Sequence, residues 1–239
     1  MKITDKKVLI TGSAKRVGAA LALAFARKGA KVLLHCNNSR AEAEEVLTAL
    51  PGTGHALLQA DLSDASQVKQ LFSAAGKTDI LINNASRYLT GVLTDETPAK
   101  DREQLEVNFW APLELMRAFA KQGIAEGCII NFVDQEVLKV PRNGIYSLSR
   151  RMLADATLEL AAELGPENIR VNAVAPGPVI PPVQFAANGM KKTLPTLPLR
   201  HKVGHDLLFQ FTGHTVDVFG HIPDMVALVF RGAEVITLR

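Results

Sequence analysis

Tyr146 and Arg150 stand four residues apart in NGIYSLSRRML (143–153), a stretch that reads as the first turns of a helix. Side chains at i and i+4 share one helix face, so a phenol and a guanidinium become neighbours there. A free phenol ionises near ~10, and an adjacent cation favours its charged form. The pair is therefore a candidate proton donor with an electrostatic partner. Arginine keeps its charge and offers several donors, but it cannot pass a proton on. Twelve residues upstream, Asp134 closes the apolar run CIINFV. It is either held partly protonated in a buried site, where it can donate to a substrate, or it is a solvated strand-end carboxylate.

A second chemical signal lies near the start of the chain. VLITGSAKRVGAALALAFARKG runs from strand to glycine, short loop, glycine and helix. The first amides of a helix point outward unpaired, and the helix dipole favours an anion beside them. Gly12 and Gly18, with Ser13, Lys15, Arg16 and Val17 between them, suit a pyrophosphate cradle of the pattern TGxxxRxG. The alternative is an ordinary strand-to-helix turn. At the end of the second apolar run, LLHCNNSR carries no carboxylate for a ribose 2′-hydroxyl. It offers Asn37, Asn38, Ser39 and Arg40 instead. That set suits a 2′-phosphate and predicts NADP(H), with Ser39 also placed to cap the next helix.

These groups need a scaffold to bring them together. Short apolar runs at 7–11, 31–36, 55–60, 79–83, 128–133 and 169–174 read as strands, with helical stretches such as 41–50 and 150–164 between them. Strands apolar on both faces that alternate with helices predict a parallel sheet covered on each side, an α/β doubly wound fold. No repeat or linker divides the 239 residues, so one domain is expected, with an atypical tail from about residue 200. The charge of +3 is dispersed, which argues against a nucleic-acid arm. Two distant cysteines, Cys36 and Cys128, give neither a disulfide framework nor a metal spacing. There is no signal-peptide h-region and no apolar run of ~18 residues, so a cytoplasmic protein without membrane partners is expected.

Taken in order, TGSAKRVG, ADLSD (60–64), INNAS (82–86), Asn108 in EVNFWAP, Tyr146 and VNAVAPGPV (171–179) resemble the short-chain dehydrogenase/reductase family over roughly residues 5–200. The resemblance implies a Rossmann-type fold, a nicotinamide cofactor and hydride transfer. Within the family the chain is most similar to pteridine and dihydromonapterin reductases. Arg16 stands where most relatives have a glycine, NNAS replaces NNAG, and NFVDQ puts Asp134 near the usual serine. Carried over, the pattern sets Asp61 and Leu62 by the adenine, Asn84, Ala85 and Ser86 along the cofactor, and Pro176 and Gly177 by the nicotinamide. Ser86, Tyr88, Asp134 and Tyr146 would meet a pterin or folate-like substrate, Tyr88 by stacking. Asn108 takes the family's water-holding position; read by itself, it is a polar residue bonded to backbone on a buried helix face.

The chain departs from the family in three places. Arg150 replaces the lysine of YxxxK, the Asp134–Tyr146 spacing is 12 residues and not 13, and the tail ends at EVITLR without the family's final glycine pair. The resemblance implies a homotetramer or dimer. An inactive dinucleotide-binding sensor or scaffold and a generic ketone reductase of the 3-oxoacyl type are the alternatives. His201, His205, His214 and His221 lack a metal-ligand pattern, and no metal is expected. EVITL is expected to form a shortened last strand.

Overall fold

Six short segments, most of them buried on both faces, pair side by side: β1 (Lys7–Ile10), β2 (Lys31–Cys36), β3 (Ala56–Gln59), β4 (Ile80–Asn83), β5 (Gly127–Phe132) and β6 (Ile169–Val174). The computed structural model describes residues 1–89, 91–94, 97–134, 137 and 143–176, together with the backbone of 228–231 and 234–237. All six strands run parallel, in the order β3-β2-β1-β4-β5-β6. The chain therefore leaves the sheet at its β3 edge and re-enters beside β1. The strand order reverses between β1 and β4, the place at which a doubly wound sheet offers a crevice at the carboxyl ends of its strands.

Side-chain alternation feeds a core on each face. Leu9, Leu33, Leu81, Ile129 and Val171 point to one side, while Val8, Ile10, Val32, Leu34, Ile80 and Ile82 point to the other. Helices α1 (Arg16–Arg27) and α2 (Arg40–Ala49) follow β1 and β2. Then α3 (Ala65–Ala75), α4 (Pro98–Leu105), α5 (Ala111–Ala120) and the long α6 (Gly144–Leu164) complete the cover. Phe25 of α1 and Phe119 of α5 are fully buried in opposite cores. Each contributes about 1.5–3 kcal/mol by burial. Asp64 caps α3 by accepting from the amides of Ser66 and Gln67, and Gly76 at φ 62 ends it.

Two features place the candidate chemistry. Between α4 and α5 the helix widens into a π-helical turn, Glu106–Trp110, which carries Asn108 inward with no exposed surface. Helix α6 begins at Gly144 with φ 52, where a Cβ would stand 2.9 Å from the carbonyl oxygen of Gly91. A glycine is required there by both conformation and space, and it sets α6 against the loop after β4.

The end of the chain differs from expectation. Glu234–Thr237 is a strand, as anticipated, but it pairs antiparallel with Leu228–Arg231 in a two-stranded sheet of its own and not with the six-stranded sheet. His201, His205, His214 and His221 lie outside the described residues. No described helix is long and apolar enough to cross a membrane.

Candidate active site

The first turn is built by tight packing between loops. Gly12 adopts φ 64, and a Cβ on it would meet Ala85 Cα at 2.9 Å. A Cβ on Gly18 would collide with the Gly12 carbonyl oxygen and lie 2.7 Å from Asn84 Nδ2. These glycines thus let the turn close on the β4 loop, and the close approach they permit is first to protein and only then to any ligand. Asn84 completes the clasp: its Nδ2 donates to the carbonyls of Thr11 at 2.9 Å and Gly12 at 3.0 Å. Ala85 N–H and Asn84 N–H both donate to Thr11 Oγ1. Ser13 is fully buried, and its hydroxyl oxygen accepts the His35 N–H at 2.9 Å, so that hydroxyl works inside the sheet.

Helix α1 opens on this turn with neither a side-chain cap nor an acidic residue in its first turn. Its leading amides therefore keep the polarity that attracts an anion. Arg16, its first residue, sits at φ 53, which glycine occupies freely and arginine at a cost of roughly 1–3 kcal/mol. Val17 is partly buried beside it. Lys15 reaches across to Glu42 at 2.6 Å, and Arg40 pairs with Glu44 at 2.8 Å. Lys15 pulls the Glu42 carboxyl below its usual range. Asn37 and Asn38 are exposed between these pairs. Ser39 occupies the N-cap position of α2, but its hydroxyl makes no capping bond, contrary to its sequence signature.

At the end of β3, Asp61 accepts from Ser63 N–H at 2.8 Å and from its hydroxyl at 2.7 Å; these bonds hold the Asp61 carboxyl low. Leu62 is buried in the core. Pro176, just past β6, is half-buried, and Gly177 lies outside the described residues.

The second cluster gathers at the end of β5. Tyr146 donates its phenolic proton to Asp134 Oδ2 at 2.9 Å, so the two residues meet despite the 12-residue spacing. Tyr88 packs edge-on against the Tyr146 ring, with centroids 4.6 Å apart and planes at 83°. Tyr88 remains 38% exposed and Ser86 is exposed beside it, so this aromatic pair marks the mouth. Arg150 is buried, with its guanidinium carbon 5.4 Å from the Tyr146 ring centroid. Its Nη1 donates to the Phe132 carbonyl at 3.1 Å and its Nη2 reaches Asn108 Oδ1 at 3.5 Å. Its Nε has no hydrogen-bond partner among the described residues.

Burial pushes the Tyr146 pKa up to about 12. Arg150 opposes that rise, and the Asp134 charge and hydrogen bond reinforce it. The cation acts in the expected direction, but desolvation and the carboxylate outweigh it. Asn108 spends its amide on protein: Oδ1 accepts Arg87 N–H at 2.8 Å, and Nδ2 donates to Arg87 O and Ser149 Oγ. Its structural place is thus the backbone-bonded one, with Arg150 as its link to the phenol. Sequence reasoning passed over Gly144, Ser149 and His35, none of which belongs to a recognisable motif. No group of three or more potential metal ligands occurs among the described residues.

Residues 6–191 match the model of the short chain dehydrogenase family. An uncharacterized oxidoreductase of Methylorubrum extorquens is 35% identical over 187 residues, spanning 75% of each protein. Among solved structures, the alternative dihydrofolate reductase 1 of Brucella canis, FolM, complexed with NADP, superimposes with a TM-score of 0.79 at 31% identity. That match covers 88% of this chain and 87% of the other. A short chain dehydrogenase of Burkholderia cenocepacia in complex with NADP gives 0.79 at 28% identity, over 89% and 90%.

Proposed function

The chain belongs to the short chain dehydrogenase family, and from that premise we propose that it is an NADPH-dependent reductase of pterin or folate-like substrates, taking a dihydropterin to the tetrahydro form. The observation that carries this reading is the 2.9 Å hydrogen bond between Tyr146 and Asp134. It puts a carboxylate, and not a hydroxyl, beside the proton donor. A carboxylate accepts from N–H groups, which a pterin ring offers and a simple ketone does not. Tyr88 at the mouth gives a flat ring an aromatic neighbour. The likeness to an alternative dihydrofolate reductase supports the same substrate class.

The crevice suits the cofactor. The α1 N-terminus, with Gly12, Arg16, Val17 and Gly18, would hold the pyrophosphate; Lys15 and Asn37–Arg40 would meet the 2′-phosphate; Asp61 and Leu62 the adenine; Asn84, Ala85, Ser86, Pro176 and Gly177 the nicotinamide half. No carboxylate among Asn37–Arg40 opposes a phosphate there. Bound NADPH supplies a hydride. Tyr146 remains protonated through the neutral range and gives its proton to the reduced heteroatom. Arg150 then stabilises the phenolate through the ring it lies against. Asp134, at the strand end, orients the hydroxyl, and solvent returns the proton.

The test is loss of nicotinamide absorbance when purified protein meets NADPH and dihydrobiopterin or dihydrofolate, with a cofactor titration alongside. Turnover supports the reading. Tight NADPH binding without turnover on either substrate contradicts it and favours a second reading, a dinucleotide-binding protein with weak or lost chemistry. That second reading has its own observation, since the Nη groups of Arg150 are already spent on Phe132 and Asn108. Self-association belongs to the proposal too, supported by the exposed Trp110, Leu148 and Met152, and is checked by the mass in solution.

A further inference from the structure

His35 lies in β2, almost fully buried, and ties three strand ends together. Its Nδ1 accepts the Gly12 N–H at 3.1 Å and its Nε2 contacts the Ala60 carbonyl at 3.1 Å. Its main chain also exchanges bonds with the next residue of the turn: the His35 carbonyl accepts Ser13 N–H at 2.9 Å, and its own N–H donates to Ser13 Oγ. A backbone amide can only donate and a carbonyl can only accept. The ring proton therefore sits on Nε2, and the ring is neutral. A second proton, on Nδ1, would face the Gly12 N–H with no acceptor between them.

The two loops joined by this ring are those that the reading above assigns to the two ends of the cofactor. Gly12 belongs to the pyrophosphate turn, and Ala60 precedes the adenine-side residues Asp61 and Leu62. The neutral imidazole fixes the separation of these two walls at one buried point. We propose that His35 is a positioning residue for the dinucleotide, holding the phosphate turn to the adenine loop through its Nε2-protonated ring. This inference rests on the cofactor reading.

Two substitutions separate positioning from plain core filling. Asn carries an oxygen near the place of Nδ1 and can keep the Gly12 bond. Gln carries its amide nearer the place of Nε2 and can keep the Ala60 bond. NADPH dissociation constants are measured for wild type, His35→Asn and His35→Gln, with unfolding midpoints taken without cofactor. The expected result is that each variant, keeping only one of the two bonds, loses at least about tenfold in NADPH affinity at temperatures well below its unfolding midpoint. Affinity within about threefold of wild type in either variant, or losses that simply track the midpoint, would overturn the assignment while leaving the cofactor reading intact. Failure of the wild type to bind NADPH would bring down that reading and this inference with it.

A measurement on the unaltered protein covers the case in which neither variant folds. Nitrogen-15 shifts of the His35 ring and hydrogen exchange at the Gly12 amide are recorded near neutral pH. The expected outcome is a neutral Nε2–H ring and a protected Gly12 amide. A cationic ring, an Nδ1–H ring or a rapidly exchanging Gly12 amide would refute the proposal.

Discussion

Around Gly12 the buried polar groups are spent on one another: Ser13 on His35, Asn84 on two carbonyls, and His35 on Gly12 and Ala60. Around Tyr146 a buried guanidinium keeps an Nε without a partner among the described residues, and burial holds a phenol above its ordinary pKa. The first arrangement resembles a satisfied interior whose purpose is shape. The second stores electrostatic imbalance, the condition in which arriving ligand groups can change protonation and bonding. A fold that positions a cofactor with one region and performs proton chemistry with another would divide its polar groups in this way.

The comparison breaks most sharply at Tyr146. Tyr146→Phe removes one hydroxyl from the second region and touches nothing in the first. It should lower turnover by about 10³-fold while NADPH affinity changes by less than about twofold. Single-turnover kinetics beside a binding titration read both quantities. Retained turnover would take the phenol out of the chemistry.

The first region answers to acid. Burial pulls the His35 pKa from 6.5 down to about 4, against the smaller raising effects of the Ala60 bond and the Asp61 charge. The unfolded ring takes a proton below 6.5 and the folded one only near 4, so the unfolded state binds more protons in that window. The contribution of this ring to stability is therefore complete well above pH 6.5 and falls by about 3 kcal/mol as the pH drops to 4. Denaturant unfolding at several pH values checks this, and His35→Asn should flatten the slope. An unchanged slope in that variant would assign the acid sensitivity to other groups.

Arg150→Lys tests whether the second region is a working site. The substitution keeps a cation near the phenol but gives up the bond to Phe132 O and the reach toward Asn108. If arginine is a functional substitute, turnover should shift by less than about tenfold, roughly 1.4 kcal/mol in barrier. A gain of several orders would identify a natural site with weakened chemistry.

The parallel sheet was legible from the sequence because its strands are short, mostly apolar on both faces and separated by helices; each of its six strands falls within one residue of its expected bounds, whereas Leu228–Arg231 had no counterpart. Asp134, Tyr146 and Arg150 could be picked out because their side chains carry recognisable chemistry. Several structural determinants could not. The start of α6 was readable in NGIYSLSRRML, but the contact with Gly91 that requires a glycine at position 144 was not, because local propensity does not encode it. A single histidine inside an apolar strand has no pattern around it, so the role of His35 depends on which carbonyl and amide the fold brings to its two nitrogens. Ser39 shows the converse: its type and place fit a cap, yet its hydroxyl makes no such bond. The sign of Arg150's effect on Tyr146 was readable, but its balance against burial was not, since desolvation depends on the neighbours in space.

The smallest expected effect sharpens the first region at its outer edge. Lys15 and Arg40, the cations nearest the end of β2, are each engaged by a glutamate, Glu42 at 2.6 Å and Glu44 at 2.8 Å. On the proposed reading a 2′-phosphate must draw Lys15 away from Glu42. Glu42→Gln removes that competitor and one negative charge from the approach. NADPH should then bind about two- to fivefold tighter at low salt, with NADH unchanged, because exposed ion pairs are individually weak and screened. The gain should fade at high ionic strength. Equal gains for both cofactors would place the effect on the pyrophosphate, and no gain would detach Lys15 from the 2′-phosphate and leave that role to Asn37, Asn38 and Arg40.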